Sequence, residues 1–169
     1  MQRAFACIRS AFFAALFISL WTWLIPRWTV GGQAFDDPHP LGWIVVGIGG
    51  AIALSCVALF AWRGLGTPAV FDPPRRLVVS GPYRFMRNPM YTGMALVLAG
   101  EALVFPNLTS AMLLTLLLFI AIFTMVVIAY EEPVLREKFG ADYVAYCREV
   151  RRWIPRMRPF DNGANAALL

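Results

Sequence analysis

An all-α polytopic membrane protein is the fold class this sequence predicts, with about four transmembrane helices and a C-terminal amphipathic helical tail. Three observations predict it. Of 169 residues 59% are hydrophobic and only 15% charged, more apolar surface than a soluble globule of this size can hide in its interior. The apolar residues fall into four runs near the roughly 20 residues that a helix needs to cross hydrocarbon. Nearly all the basic residues, which give a net charge of +5, stand just outside those runs, where anionic headgroups lie. That placement makes the charge a statement of topology and excludes nucleic acid as the partner. The length suits one membrane domain spanning 1–169.

The first helix is expected over about 4–25, broken only by Arg9 and Ser10 near its start. Arg3 and Arg9 before an apolar core also fit a signal peptide, but Trp21, Trp23 and Trp28 follow Leu20 where a small-residue cleavage site would stand. Those tryptophans form an interfacial belt, so a retained helix is expected. A polar loop, Gln33 to Pro40, leads to a second helix over 41–62, whose Gly47, Gly49 and Gly50 permit close approach of a neighbour. His39 sits between two prolines beside Asp36 and Asp37, and a loop residue is a simpler account of it than a metal ligand.

Residues 63–89 form a basic loop punctuated by Gly and Pro. The third helix, 90–105, is somewhat short; Pro106 and Asn107 turn it into the fourth, 109–130, as an antiparallel hairpin. The tail, 131–169, carries Val134, Leu135, Phe139, Tyr143, Tyr146 and Val150 at helical spacing, which predicts an amphipathic helix broken near Gly140. Four crossings put both termini and the basic loop on one side, and that side holds every Lys and Arg except Arg27. By the positive-inside rule it is cytoplasmic, so an integral membrane protein with both termini cytoplasmic is expected. Cys7, Cys56 and Cys147 are far apart, without a Cys-x-x-Cys or a histidine cluster. Neither a disulfide framework nor a metal site is expected.

Two clusters carry chemistry. Gly81-Pro82 and Asn88-Pro89 prescribe turns in front of the third helix. Pro89 suits a helix first turn, whose exposed amides then face the loop as a site for a carboxylate. Glu131-Glu132-Pro133 closes the fourth helix, at the negative end of its dipole. These carboxylates are either a solvated cap paired with Arg136 or groups facing an inward cavity, and ionisable residues at membrane depth favour the second. Glu101, near the outer end of the third helix, is expected as an interface or packing residue.

Gly-Pro-Tyr-Arg-x-x-Arg-Asn-Pro-Met-Tyr-x-Gly, then Glu-Glu-Pro, then Phe-Gly-x-x-Tyr-x-x-Tyr and a final Ile-Pro resemble the membrane methyltransferases grouped around isoprenylcysteine carboxyl methyltransferase and phosphatidylethanolamine N-methyltransferase. The match runs from about Arg75 to Phe160. The resemblance implies methyl transfer from S-adenosylmethionine to a lipid or lipophilic acceptor arriving through the bilayer. It implies a cofactor pocket lined by Arg76, Leu77, Val78, Gly81, Tyr83, Arg84, Asn88, Pro89, Met90, Tyr91, Glu131 and Glu132, with Tyr91, Asn88 and Arg87 as positioning candidates. No covalent nucleophile and no metal are implied.

The residue chemistry fits. Amides near Asn88 with Arg84 or Arg87 suit the donor carboxylate, Tyr83 and Tyr91 suit its ring, and Glu131 or Glu132 suits its amino group or ribose. A carboxylate against the sulfonium would stabilise the ground state more than the transition state, because that charge vanishes as the methyl leaves. Alignment alone can supply about 7 to 11 kcal/mol of the barrier.

Two departures bear on the acceptor. Prenylcysteine-type members show His where this chain has Asn88, and an Arg where it has Val127, which tilts the expectation toward the phospholipid side. Two rivals stand beside this: an NADPH-dependent membrane reductase of the sterol-reductase type, whose phosphates demand a larger basic pocket, and a non-catalytic membrane scaffold. The arginines Arg148, Arg151, Arg152, Arg156 and Arg158 either hold anionic headgroups, close over the cofactor or anchor the tail. Oligomeric state is not legible.

Overall fold

In a computed structural model, the structure describes residues 39–63 and 77–161. The first expected helix, the start of the basic loop with Arg76, and the last eight residues lie outside them. Every regular element among the described residues is helical.

Helix α1 (Pro40–Arg63) begins on Pro40, whose missing N–H costs nothing in a first turn. His39 caps it: its carbonyl accepts from Gly42 N at 2.9 Å and its Nδ1 from Leu41 N at 3.3 Å. Helix α2 (Pro89–Val104) likewise starts on a proline. A 3-10 turn, Pro106–Leu108, reverses the chain into α3 (Thr109–Val126), and Thr109 Oγ1 ties the turn to Ala102 O at 2.8 Å. The hairpin expected around Pro106 and Asn107 is therefore present.

Two stretches, Pro40–Phe60 and the apolar part of Pro106–Glu149, are long and apolar enough to cross a bilayer. At 16 residues α2 is about 24 Å long, shorter than the roughly 30 Å of hydrocarbon.

Packing of α1 on α2 is backbone to backbone. A Cβ on Gly49 would lie 2.5 Å from Gly93 O, one on Gly93 2.7 Å from Gly49 O, and one on Gly100 2.7 Å from Val46 N. Gly42 meets Gly100 O in the same way at 2.8 Å. The glycines recur seven residues apart on each helix, two turns, so they line one edge. Gly47 and Gly50, expected to share this role with Gly49, meet nothing within 4 Å; at 100° per residue they have rotated off the contact line. The close fit gives dispersion contact where lipid offers no hydrophobic drive.

Glu101 is packed at 2% exposure, and neither of its oxygens has a hydrogen-bond partner among the described residues. It is a packed residue, as expected, but not one at the interface with water.

The expected surface helix of the tail is instead continuous with the last crossing. After α3 comes one wide π turn, Val127–Glu131, and then α4 (Glu132–Glu149). Pro133 explains the turn, since it cannot donate to the carbonyl four residues back and its ring would press on it. Widening the turn relieves that clash, with Glu132 N bonding five residues back to Val127 O. Gly140 stands at φ 51 inside α4, a left-handed conformation that glycine adopts without cost, so the break expected there is real.

Candidate functional site

The turn before α2 and the carboxylates after α3 come together. Asn88 stands at the α2 N-cap, its carbonyl accepting from Thr92 N and Thr92 Oγ1 at 3.1 Å each. One turn into α2, Tyr91 donates its hydroxyl to Glu131 Oε1, and its ring packs on Phe123 of α3 at 4.7 Å. One residue on, Glu132 turns the other way. It accepts from Arg152 Nε at 2.6 Å and Nη2 at 2.9 Å, a bidentate pair, and lies 3.3 Å from Arg87 Nη1. Adjacent residues of a helix point about 100° apart, and the π turn sets their register, so that Glu131 meets Tyr91 while Glu132 meets Arg152 and Arg87. Arg136, the partner that the solvated-cap alternative gives these carboxylates, forms no ion pair with either of them among the described residues.

The tail closes this site from outside. Arg87 N donates to Arg151 O at 2.9 Å and Asn88 N to Arg152 O at 3.2 Å; in the reverse sense Arg156 N donates to Phe85 O at 3.0 Å and Phe160 N to Arg84 O at 2.9 Å. Beneath the strap, Val79, Tyr143, Tyr146, Val150 and Phe160 form a buried cluster with Leu77 packed against it. Tyr146 adds a hydroxyl bond to Tyr83 O at 2.6 Å.

The expected pocket residues thus separate into groups. Arg87, Asn88, Tyr91, Glu131 and Glu132 meet around the α2 N-terminus, where Pro89 is buried and Met90 half-buried. Val78 is buried and Gly81 takes φ +55 to open the 3-10 turn Gly81–Arg84. Tyr83 faces α1, edge-on to Phe60 at 5.8 Å; burial and the neighbouring Cys56 hold its hydroxyl well above the ordinary tyrosine range. Arg84 serves the strap through Nε to Phe160 O at 2.8 Å. Val127 is buried.

Sequence reasoning missed Cys147, whose Sγ lies 2.6 Å from Arg87 Nη1. It also gave no reason to single out Arg152 from the other tail arginines. Spacing of about one helical turn between Tyr143, Tyr146 and Cys147 was the available signal for the thiol.

Arg87 is nine-tenths buried and its Nε has no partner among the described residues. A buried guanidinium N–H at a helix N-terminus is a donor without an acceptor, and a carboxylate fits it. Glu131 has no ion pair with a described cation, so it offers a negative group to an ammonium or to hydroxyls. Burial raises Glu132, but the Arg152 hydrogen bonds and the charges of Arg87 and Arg152 outweigh it and hold its carboxyl below the ordinary 4.5. Those bonds correspondingly hold Arg152 above its ordinary value.

A depressed folded pKa means stability fully present above pH 4.5 and lost as the pH falls through the lower, folded value. The stability gap between the wild type and Glu132→Gln is therefore expected to be constant above that pH and to close below it. Chemical unfolding at stepped pH measures it; a gap that widens with acid would contradict the pairing.

The family model described as phospholipid methyltransferase matches residues 38–142. Two proteins described as probable protein-S-isoprenylcysteine O-methyltransferase, from Oryza sativa subsp. indica and subsp. japonica, are each 33% identical to the chain over 85 residues. The aligned region is 50% of this chain and 44% of each relative, so the chain spans under half the length of the curated relatives it matches. No solved structure matches.

Proposed function

The chain belongs to the phospholipid methyltransferase family, and on that premise we propose that it transfers a methyl group from S-adenosylmethionine to a lipid or lipophilic amine, thiol or carboxylate at the cytoplasmic membrane interface. One observation carries the proposal. The arginine-rich turn and the paired carboxylates, forty residues apart in sequence, enclose one site through Tyr91 with Glu131 and Arg87 with Glu132.

The residues fit the donor. Arg87 Nε and the first amides of α2 would take its carboxylate, and Glu131 its amino group or ribose. Tyr91, held between Glu131 and Phe123, presents an ordered ring edge. S-adenosylmethionine supplies the methyl on a sulfonium. The protein's share is to bind, orient and exclude water, with no side chain forming a covalent bond. Met125, Ile128 and Tyr130, in the two turns before Glu131, are exposed, an apolar surface next to the site that fits an acceptor arriving from the bilayer. The basic loop and the tail lie on the side that the positive-inside rule makes cytoplasmic, and both termini go with them.

Titration calorimetry of the purified full chain with S-adenosylmethionine and with NADPH tests this. Binding of the methyl donor alone is expected, weakened roughly 10- to 100-fold in Glu131→Gln, the loss of one hydrogen bond to a charged group. Binding of NADPH alone would favour a reductase, and binding of neither, in folded protein, a scaffold.

A further inference from the structure

The five arginines between residues 148 and 158, alike in sequence, differ in the fold. Arg152 is held by Glu132, and Arg156 lies 3.5 Å from Glu149 Oε2. Asp161, the other acidic group of this segment, faces Arg84 at 3.8 Å. Arg148, Arg151 and Arg158 are exposed and form no ion pair with a described residue. Three positive charges are left over, on one short segment.

Apolar side chains project from the same segment. Ile154 is 60% and Met157 97% exposed, and Phe85, whose carbonyl takes the Arg156 N–H, is exposed beside them. A single exposed hydrophobe is ordinary. This segment, however, is held on both sides of the projection by backbone bonds from Arg151, Arg152, Arg156 and Phe160 to residues 84–88. The projection is a property of the fold, not of a loose end.

We propose that this tip docks on anionic lipid headgroups, Ile154, Met157 and Phe85 entering the boundary of the acyl region while Arg148, Arg151 and Arg158 meet the phosphates. Exposed apolar residues interspersed with arginine are the composition that lies in a membrane interface, and the unmatched charge selects an anionic one. The inference rests on the membrane-crossing helices and the tail, not on methyl transfer. Docking there would hold the strap, and with it the site wall, against the leaflet.

The test uses the full chain in nanodiscs of phosphatidylcholine with or without phosphatidylglycerol, with Met157 replaced by photoreactive benzoylphenylalanine. On irradiation, lipid adducts at position 157 are expected in the phosphatidylglycerol discs. They should fall roughly five-fold for each arginine replaced in the series Arg148→Gln, Arg151→Gln, Arg158→Gln, and fall with added salt. The same photoreactive residue at Leu117, exposed on α3, reports correct insertion in every sample. Adducts at Leu117 but none at 157 overturn the proposal. Equal adducts at 157 in both kinds of disc, or adducts indifferent to the arginine replacements, overturn the recognition of anionic lipid.

Discussion

Glu132→Ala is expected to cost about 3 kcal/mol of stability, because it leaves the buried guanidinium of Arg87 without its counter-charge. The figure is the lower end for a broken buried pair, since Arg152 is 40% exposed and regains water. For a chain of this length that lowers the melting temperature by roughly 6 to 12 °C. The consequence reaches the site. Arg152 is drawn in by Glu132 and its carbonyl receives Asn88 N and Nδ2, so its release frees the α2 N-terminus. Donor affinity should fall with stability, and Arg152→Ala should do less harm to both. Thermal unfolding of the detergent-purified chain, followed by calorimetry of the folded fraction, measures the pair of effects. A variant that melts with the wild type would refute the account of the strap.

Gly93→Val should be as severe for a different reason. The added carbon would stand 2.7 Å from Gly49 O and 2.9 Å from Ala53 N. Both are backbone atoms of a packed helix and cannot swing aside, so α1 and α2 must part. Overpacking of this kind costs about 3 kcal/mol or more, and it moves Tyr91 and Asn88, which ride on the first turns of α2, away from Glu131 and Arg152. Gly47→Val is the matched control: nothing lies within 4 Å of its Cβ, and a change near zero is expected. Unfolding midpoints of the two variants decide it, and equal midpoints would remove the glycine contact from the account.

What the sequence disclosed was what local rules govern. The apolar runs marked α1, α2 and α3, Pro106 and Asn107 marked the reversal, and Gly140 marked the break in α4, because composition and backbone freedom act within a few residues. That Glu131 and Glu132 belong to one site with the turn before α2 came from the motif order. Which carboxylate takes which partner did not, since the answer depends on one π turn that Pro133 forces and that no periodicity announces. That the ring edge of Tyr83, expected at the cofactor, packs on Phe60 of α1 was not legible either, being a matter of side-chain direction at a 3-10 turn. The choice of Arg152 among five arginines, and of Gly49 over Gly47, is likewise tertiary: it follows from which face of a helix meets its neighbour.

The strap of residues 151–160 across the turn before α2 fixes an order of events during synthesis. Helices α1, α2 and α3 are all made before it, so they exist for a time while the turn before α2 lacks the backbone bonds of Arg151, Arg152, Arg156 and Phe160. A stop codon just after Glu149 would thus keep the sequence of all four helices and remove every one of those bonds.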